Sequence, residues 1–170
     1  MQQHYIISYI GADRPGLVDK ISKLIQSAGG SWQSGRSANL AGMFSGMVHI
    51  DIPAENAAKL SDEVANLQTP DLQVSLHPIK DLSSPNDSIV EIKVIGSDRK
   101  GIVSELSGIL SNLSINLEEL ATEVSPAPMS GELTFSAIAR VSMPEGLSTD
   151  TVQNALEQLS DDLMVELTPI

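Results

Sequence analysis

Ile10-Gly11-Ala12-Asp13-Arg14-Pro15-Gly16-Leu17-Val18 returns 85 residues later as Ile95-Gly96-Ser97-Asp98-Arg99-Lys100-Gly101-Ile102-Val103. A stretch that recurs at a fixed interval marks a repeated structural unit. The similarity spreads outward from this pair. Downstream, Leu17, Val18, Ile21, Leu24, Ile25 and Ala28 are apolar at helical spacing, and Ile102, Val103, Leu106, Ile109, Leu110 and Leu113 repeat that spacing position by position. Each set makes an apolar stripe that has to face a core, since burying six such side chains is worth on the order of 10 kcal/mol before entropy is subtracted. Upstream, Tyr5, Ile7 and Tyr9 alternate with Ile6 and Ser8, and Val90, Ile92 and Val94 alternate with Glu91 and Lys93. Alternation of period two predicts strands of a sheet with one covered face.

Further along, a second strand is expected over 31–40 and 116–124. A third carries Phe44, Val48, Ile50 and Ile52 in one copy and Phe135, Ala139, Val141 and Met143 in the other, now 91 residues apart. The six extra residues fall in 125–131, a Pro- and Ser-containing stretch that reads as a long loop. Ile52-Pro53 and Met143-Pro144 close the third strands. A second helix follows, with Ala57, Leu60, Val64 and Leu67 on its stripe and then Val152, Ala155, Leu156 and Leu159. Ser148 or Thr149 is a suitable cap, with Asp150 in the first turn. Last strands carry Leu72, Val74 and Leu76, then Leu163, Val165 and Leu167. Each copy is therefore β-α-β-β-α-β, a ferredoxin-like split βαβ unit of the α+β class, with an antiparallel sheet and both helices on one face. The units span 1–79 and 88–170, joined by a linker at 80–87. Tyr5, Ile7, Tyr9, Val48 and Ile50 should face the helices in copy one, and Val90, Ile92, Val94, Val141 and Val165 in copy two. The bare sheet faces are left to pair or to be covered by a partner, a second copy of the chain included.

Charge limits the partners. The net charge is −12. Residues 1–85 hold 6 Lys/Arg against 8 Asp/Glu, and residues 86–170 hold 4 against 14. Contact with a phosphate backbone needs clustered Lys and Arg, and none is present, so direct nucleic-acid binding is not expected. An acidic half keeps a protein soluble and is also able to meet a basic protein partner. Without cysteine there is no disulfide and no Cys-based metal site or nucleophile. The N-terminal Met1-Gln2-Gln3-His4 shows no signal-peptide pattern, and no apolar run approaches the ~20 residues that span a bilayer. A cytoplasmic protein is the expectation.

Reactive constellations are missing. His4, His49 and His77 are far apart in sequence and in no ligand spacing. In Gly42-Met43-Phe44-Ser45-Gly46 the serine stands one place off a nucleophile elbow and within a hairpin. Glu118 and Glu119 are strand neighbours, which point to opposite faces and form no acid/base pair. No catalytic residue, metal or cofactor is expected. The repeated turns are the informative loops. Gly11…Gly16 and Gly96…Gly101 lack the Gly-Lys-Ser/Thr of a phosphate loop, but they place helix N-termini, with their free N–H groups, where a small carboxylate would bind.

A βαββαβ unit with Asp-Arg-Pro-Gly-Leu-Val at its first strand-to-helix turn resembles the ACT domain, a regulatory module that binds amino acids. Asn116-Leu117-Glu118-Glu119-Leu120 is similar to the Asn-Ile start of that family's second strand. The resemblance covers nearly the whole chain and leaves no catalytic domain over. It implies ligand turns at Asp13, Arg14, Gly16, Leu17 and Val18 and at Asp98, Arg99, Gly101, Ile102 and Val103. The strand residue implied to face the ligand is Asn116 in copy two and Ser31 in copy one. Stand-alone tandem ACT chains of this length resemble regulators of glycine cleavage genes, which implies glycine as ligand and a separate DNA-binding transcriptional activator as partner. ACT pairs also serve as regulatory subunits of amino-acid metabolic enzymes, the alternative. A close approach of ligand to backbone implies that Gly16→Val and Gly101→Val lose binding.

Overall fold

The computed structural model describes residues 1–80, 88–127 and 131–170. The chain divides into two compact units, Met1–Ser83 and Ser84–Ile170. Apart from Lys80, the linker expected at 80–87 lies outside the described residues.

Unit one runs β1 (Gln2–Ala12), α1 (Leu17–Ser27), β2 (Ser31–Leu40), β3 (Met43–Pro53), α2 (Ala57–Leu67) and β4 (Leu72–Ile79). Unit two repeats it as β5 (Ser88–Ser97), α3 (Ile102–Asn112), β6 (Asn116–Pro126), β7 (Leu133–Met143), α4 (Thr149–Glu157) and β8 (Met164–Pro169). The sheets have the orders β2-β3-β1-β4 and β6-β7-β5-β8, and every pairing is antiparallel. These are the two ferredoxin-like units read from the repeat.

The period-two pattern sorts as expected. Ile7, Tyr9, Val48 and Ile50 are buried beneath the helices of unit one, as are Val90, Ile92, Val94, Val141 and Val165 in unit two. Tyr5 packs at the margin, half-buried. On α1, Leu17, Ile21, Leu24 and Ile25 face the core; on α3, Ile102, Leu106 and Leu110 do. Val18 and Val103 depart from the expected stripes, being 42% and 40% exposed. Each follows the first residue of its helix, and one residue is a turn of about 100° about the axis, which carries the side chain off the buried face.

The second strands hold two further differences. Ser125 and Pro126 belong to β6, so the expected loop at 125–131 starts later, and its residues 128–130 lie outside the described set. In unit one the matching connection is Ala41-Gly42, with φ of 51° and 81°. This is a two-residue hairpin turn with both residues left-handed. Both second strands also bulge at one place, between Trp32 and Ser34 and between Leu117 and Glu119. The bulge at Glu118 breaks the alternation. Glu118 Oε1 accepts from Ser142 Oγ at 2.9 Å, and Glu119 lies 4.0 Å from Arg140. Ser142 and Arg140 alternate with the buried Val141 and Ala139, so both carboxylates turn to one face, contrary to the opposite faces expected of strand neighbours.

Candidate functional site

The two repeated turns are built alike. Asp13 N–H donates to Gly42 O at 3.0 Å, and Asp98 N–H to Leu133 O at 2.9 Å, tying each turn to the start of the third strand. The first glycine of each turn lies against the loop before the last strand. A Cβ on Gly11 would stand 2.6 Å from Asp71 O, and one on Gly96 would stand 3.1 Å from Leu163 Cδ2. Gly16 and Gly101 precede α1 and α3 with φ of 89° and 90°, the left-handed region that costs other residues about 1–2 kcal/mol. Added Cβ atoms there meet nothing within 4 Å at Gly16, and only Glu105 Oε1 at 3.7 Å at Gly101. Within the chain these glycines are thus required by conformation and stand beside open space. No side chain caps α1 or α3, whereas Ser148 Oγ caps α4 by accepting the Thr151 N–H at 3.2 Å. The helix N-termini at the repeated turns therefore present backbone N–H groups without a side-chain acceptor.

The arginines diverge. Arg14 Nη2 reaches Asp71 Oδ2 at 2.9 Å, with both side chains nearly two-thirds exposed. Arg99 instead grips Glu105 with two hydrogen bonds, of 2.8 and 2.6 Å. Glu105 occupies the place that Lys20 holds in unit one, so only unit two has a carboxylate one helical turn into the helix to receive its arginine. Asp162, the counterpart of Asp71, accepts the Ser97 N–H at 3.0 Å and the Ser160 hydroxyl. These bonds hold its carboxyl well below the usual carboxylate range, Ser160 being the largest cause. The Arg99 hydrogen bond likewise lowers Glu105, and Glu105 raises Arg99. In unit one, Asn39 Nδ2 also donates to Asp13 Oδ2 at 2.5 Å. A cleft of about 200 Å³, lined by Arg14, Pro15, Leu17, Lys20, Thr69 and Asp71 among others, opens beside the first turn.

Of the residues expected at the site, Asp13, Arg14, Gly16, Leu17 and Val18 sit together, as do Asp98, Arg99, Gly101, Ile102 and Val103. Leu17 and Ile102 are buried and serve the core. Ser31 and Asn116 are not brought to the turn of their own unit. Ser31 pairs with Asp51, eight residues along β3 from Met43, roughly 26 Å at strand rise. Asn116 pairs with Ser142, nine residues along β7 from Leu133, roughly 30 Å away. Sequence reading missed Asn39, Lys20, Glu105, Asp71 and Asp162. The last two were visible as one repeated position, 91 residues apart. The histidines also prove closer than their numbering suggests. His4 and His49 ring centroids lie 5.5 Å apart on the bare face of unit one. Among the described residues no group of three His, Cys, Asp or Glu is placed to hold a metal ion.

Comparison with known proteins agrees with this architecture. Residues 3–77 match the family model of the ACT domain. The first repeat is an ACT domain. The ACT domain is a regulatory, amino-acid-binding module, and the second repeat carries the same fold, so the chain is a tandem of ferredoxin-like ACT units. Over 165 residues it is 22% identical to the glycine cleavage system transcriptional repressor of Escherichia coli K12, covering 95% of this chain and 86% of that protein. A crystal structure of an unknown protein from Galdieria sulphuraria superposes with TM-score 0.85 at 27% identity, covering 100% of this chain and 99% of the other. The structure of a candidate glycine cleavage system transcriptional repressor superposes with TM-score 0.75 at 19% identity, covering 100% of this chain and 98% of that one. No described helix is long and apolar enough to cross a membrane.

Proposed function

We propose that this tandem ACT chain, with units at 1–79 and 88–170 joined by 80–87, is an amino-acid-responsive regulator. In this reading it acts by binding rather than catalysis. Its ligand is glycine, and it represses glycine cleavage genes by binding a separate DNA-binding activator. The observation that carries the ligand half is the turn at Asp13–Gly16. There an uncapped helix N-terminus adjoins a cleft of about 200 Å³ flanked by Arg14 and Lys20. N–H groups and cations together suit a carboxylate. The Arg14–Asp71 pair is exposed on both sides, and such surface pairs are worth about 0–1 kcal/mol, so Arg14 exchanges partners at little cost. The turn at Asp98–Gly101 is the weaker site, because Arg99 is already engaged by Glu105. The partner half draws on the Escherichia coli relative.

A small ligand sets the scale. At no more than ~1.5 kcal/mol per non-hydrogen atom, glycine binding is limited to about 7 kcal/mol, which is micromolar at best. The ligand shifts partner binding only through its differential affinity for the free and partnered forms, typically ~1–3 kcal/mol, or about 5–150-fold. Calorimetry against the twenty amino acids tests the first half. Glycine titrated into the complex with the activator tests the second. A complex whose Kd does not move between zero and millimolar glycine would rule out the sensor.

A further inference from the structure

The outermost strand of unit two is an unfilled edge. All eleven residues of β6 are exposed. Their helix-side members, Leu117, Leu120 and Thr122, line one wall of an apolar cleft whose other wall is Val103, Leu106 and Ser107 of α3. Leu120 is 42% exposed and Val124 49%. The opposite face of the same strand is acidic. Glu119 and Glu123 pair with Arg140 and Ser136, and of these Arg140 is the one cation. Unit one has no equivalent opening. There the Trp32 ring lies over Gly35, with its Cζ2 3.0 Å from where a Cβ would stand, and the next helix-side residue, Ser37, is tied to the Tyr9 hydroxyl at 2.6 Å. The edge that the first unit fills, the second leaves as a trough.

We propose that β6 is a docking edge for an extended segment of a partner protein in which apolar residues alternate with Lys or Arg. The segment adds as a further strand. Its apolar side chains continue the layer over Leu120 and Val103, and its cations meet Glu119 and Glu123 on the other face. Strand addition supplies main-chain hydrogen bonds, and alternate pockets supply selectivity. A second copy of β6 is disfavoured, because antiparallel self-pairing brings the same carboxylates towards one another, and like charges across a pair destabilise. Acidic residues on an edge discourage self-association and select a basic partner by the same charge. This surface rests on the reading of the chain as a partner-binding regulator and names the chemistry by which the partner is held.

Two nine-residue peptides test the edge on the full chain, one alternating valine with lysine and one alternating valine with glutamate, followed by fluorescence anisotropy. The valine–lysine peptide should bind, more weakly as salt rises, and the valine–glutamate peptide should not. Reversing both charges, Glu119→Lys with Glu123→Lys, should weaken the first by about 5–30-fold, two cross-strand pairs' worth, and admit the second. Leu120→Lys, at an exposed position, should weaken the valine–lysine peptide without unfolding the chain by circular dichroism. Equal binding of the two peptides, or indifference to charge reversal, overturns the proposal. So does a dimer in ultracentrifugation that Leu120→Lys dissociates, since a second copy would then occupy the strand. Glycine calorimetry on the same variants reads the ligand site separately. A chain that binds glycine but not the valine–lysine peptide overturns the docking edge alone.

Discussion

The turns at Asp13–Gly16 and Asp98–Gly101 share backbone conformation to within a few degrees, yet their arginines are engaged differently. One residue of difference accounts for this. Lys20 cannot receive Arg14, which reaches across to Asp71; Glu105 receives Arg99 in a two-pronged bond. Asp162 is thereby left to accept Ser97 N–H. Duplicated folds keep their backbone geometry because glycines at positive φ and core packing constrain it. Their surface charges drift, because an exposed ion pair contributes little to stability. The result is one turn with an exchangeable cation beside a cleft and one whose cation is occupied.

The largest test of the parallel lies in the cores. Ile21 is fully buried, and its counterpart Leu106 is 8% exposed and lines the open trough of unit two. Ile21→Ala should cost about 3–4 kcal/mol, and Leu106→Ala nearer 2 kcal/mol because the cavity it leaves joins an existing opening. Urea unfolding of each variant checks the order; equal losses would remove the asymmetry. Next come the first glycines. Gly11→Ala forces a methyl to 2.6 Å from a backbone oxygen, whereas Gly96→Ala meets a flexible leucine tip at 3.1 Å. About 2–3 kcal/mol is expected at Gly11 and under about 1 kcal/mol at Gly96, read the same way.

The exchange of arginine partners is a sharper probe of function. Lys20→Glu should give Arg14 the arrangement of Arg99 and weaken glycine binding roughly 10-fold, about one charge-assisted hydrogen bond's worth. Unchanged calorimetry would mean that Arg14 does not meet the ligand. The smallest effect concerns acid. Glu105 and Asp162 have folded-state values below their unfolded ones, so their contribution is complete above the ordinary carboxylate range and is lost as pH falls through the folded values. Unit two should therefore lose stability on acidification, and Glu105→Gln should flatten part of that loss. A thermal-melting profile from pH 7 to pH 3, identical in wild type and variant, would contradict the link.

How far the chain was readable depended on the range of the interaction. Helices, strands, their order and the buried alternation at Ile7, Val48, Ile92 and Val141 followed from periodicities of 3.6 and 2, which are local. The left-handed glycines were legible because only glycine enters that region freely. Glu118 was misread, because a bulge is set by the strand opposite and one inserted residue reverses the alternation on which the reading relied. Ser31 and Asn116 were placed with the turns by resemblance, yet strand pairing puts each at the far end of its own sheet. Their sequence distance from the turn, 15 residues after Gly16 and Gly101 alike, carries no sign of direction in space.

The sequence by itself determined that two βαββαβ units exist, which faces of their elements are buried, and that each opens its first helix behind a left-handed glycine. These depend on side-chain periodicity and backbone sterics within a few residues. Only the tertiary structure decided that Arg14 goes to Asp71 while Arg99 goes to Glu105, that Trp32 closes one edge while Leu117 and Leu120 leave the other open, and that His4 and His49 are neighbours. Each of those outcomes is fixed by atoms brought together from distant parts of a unit, where small differences in reach and charge choose between partners that the sequence lists on equal terms.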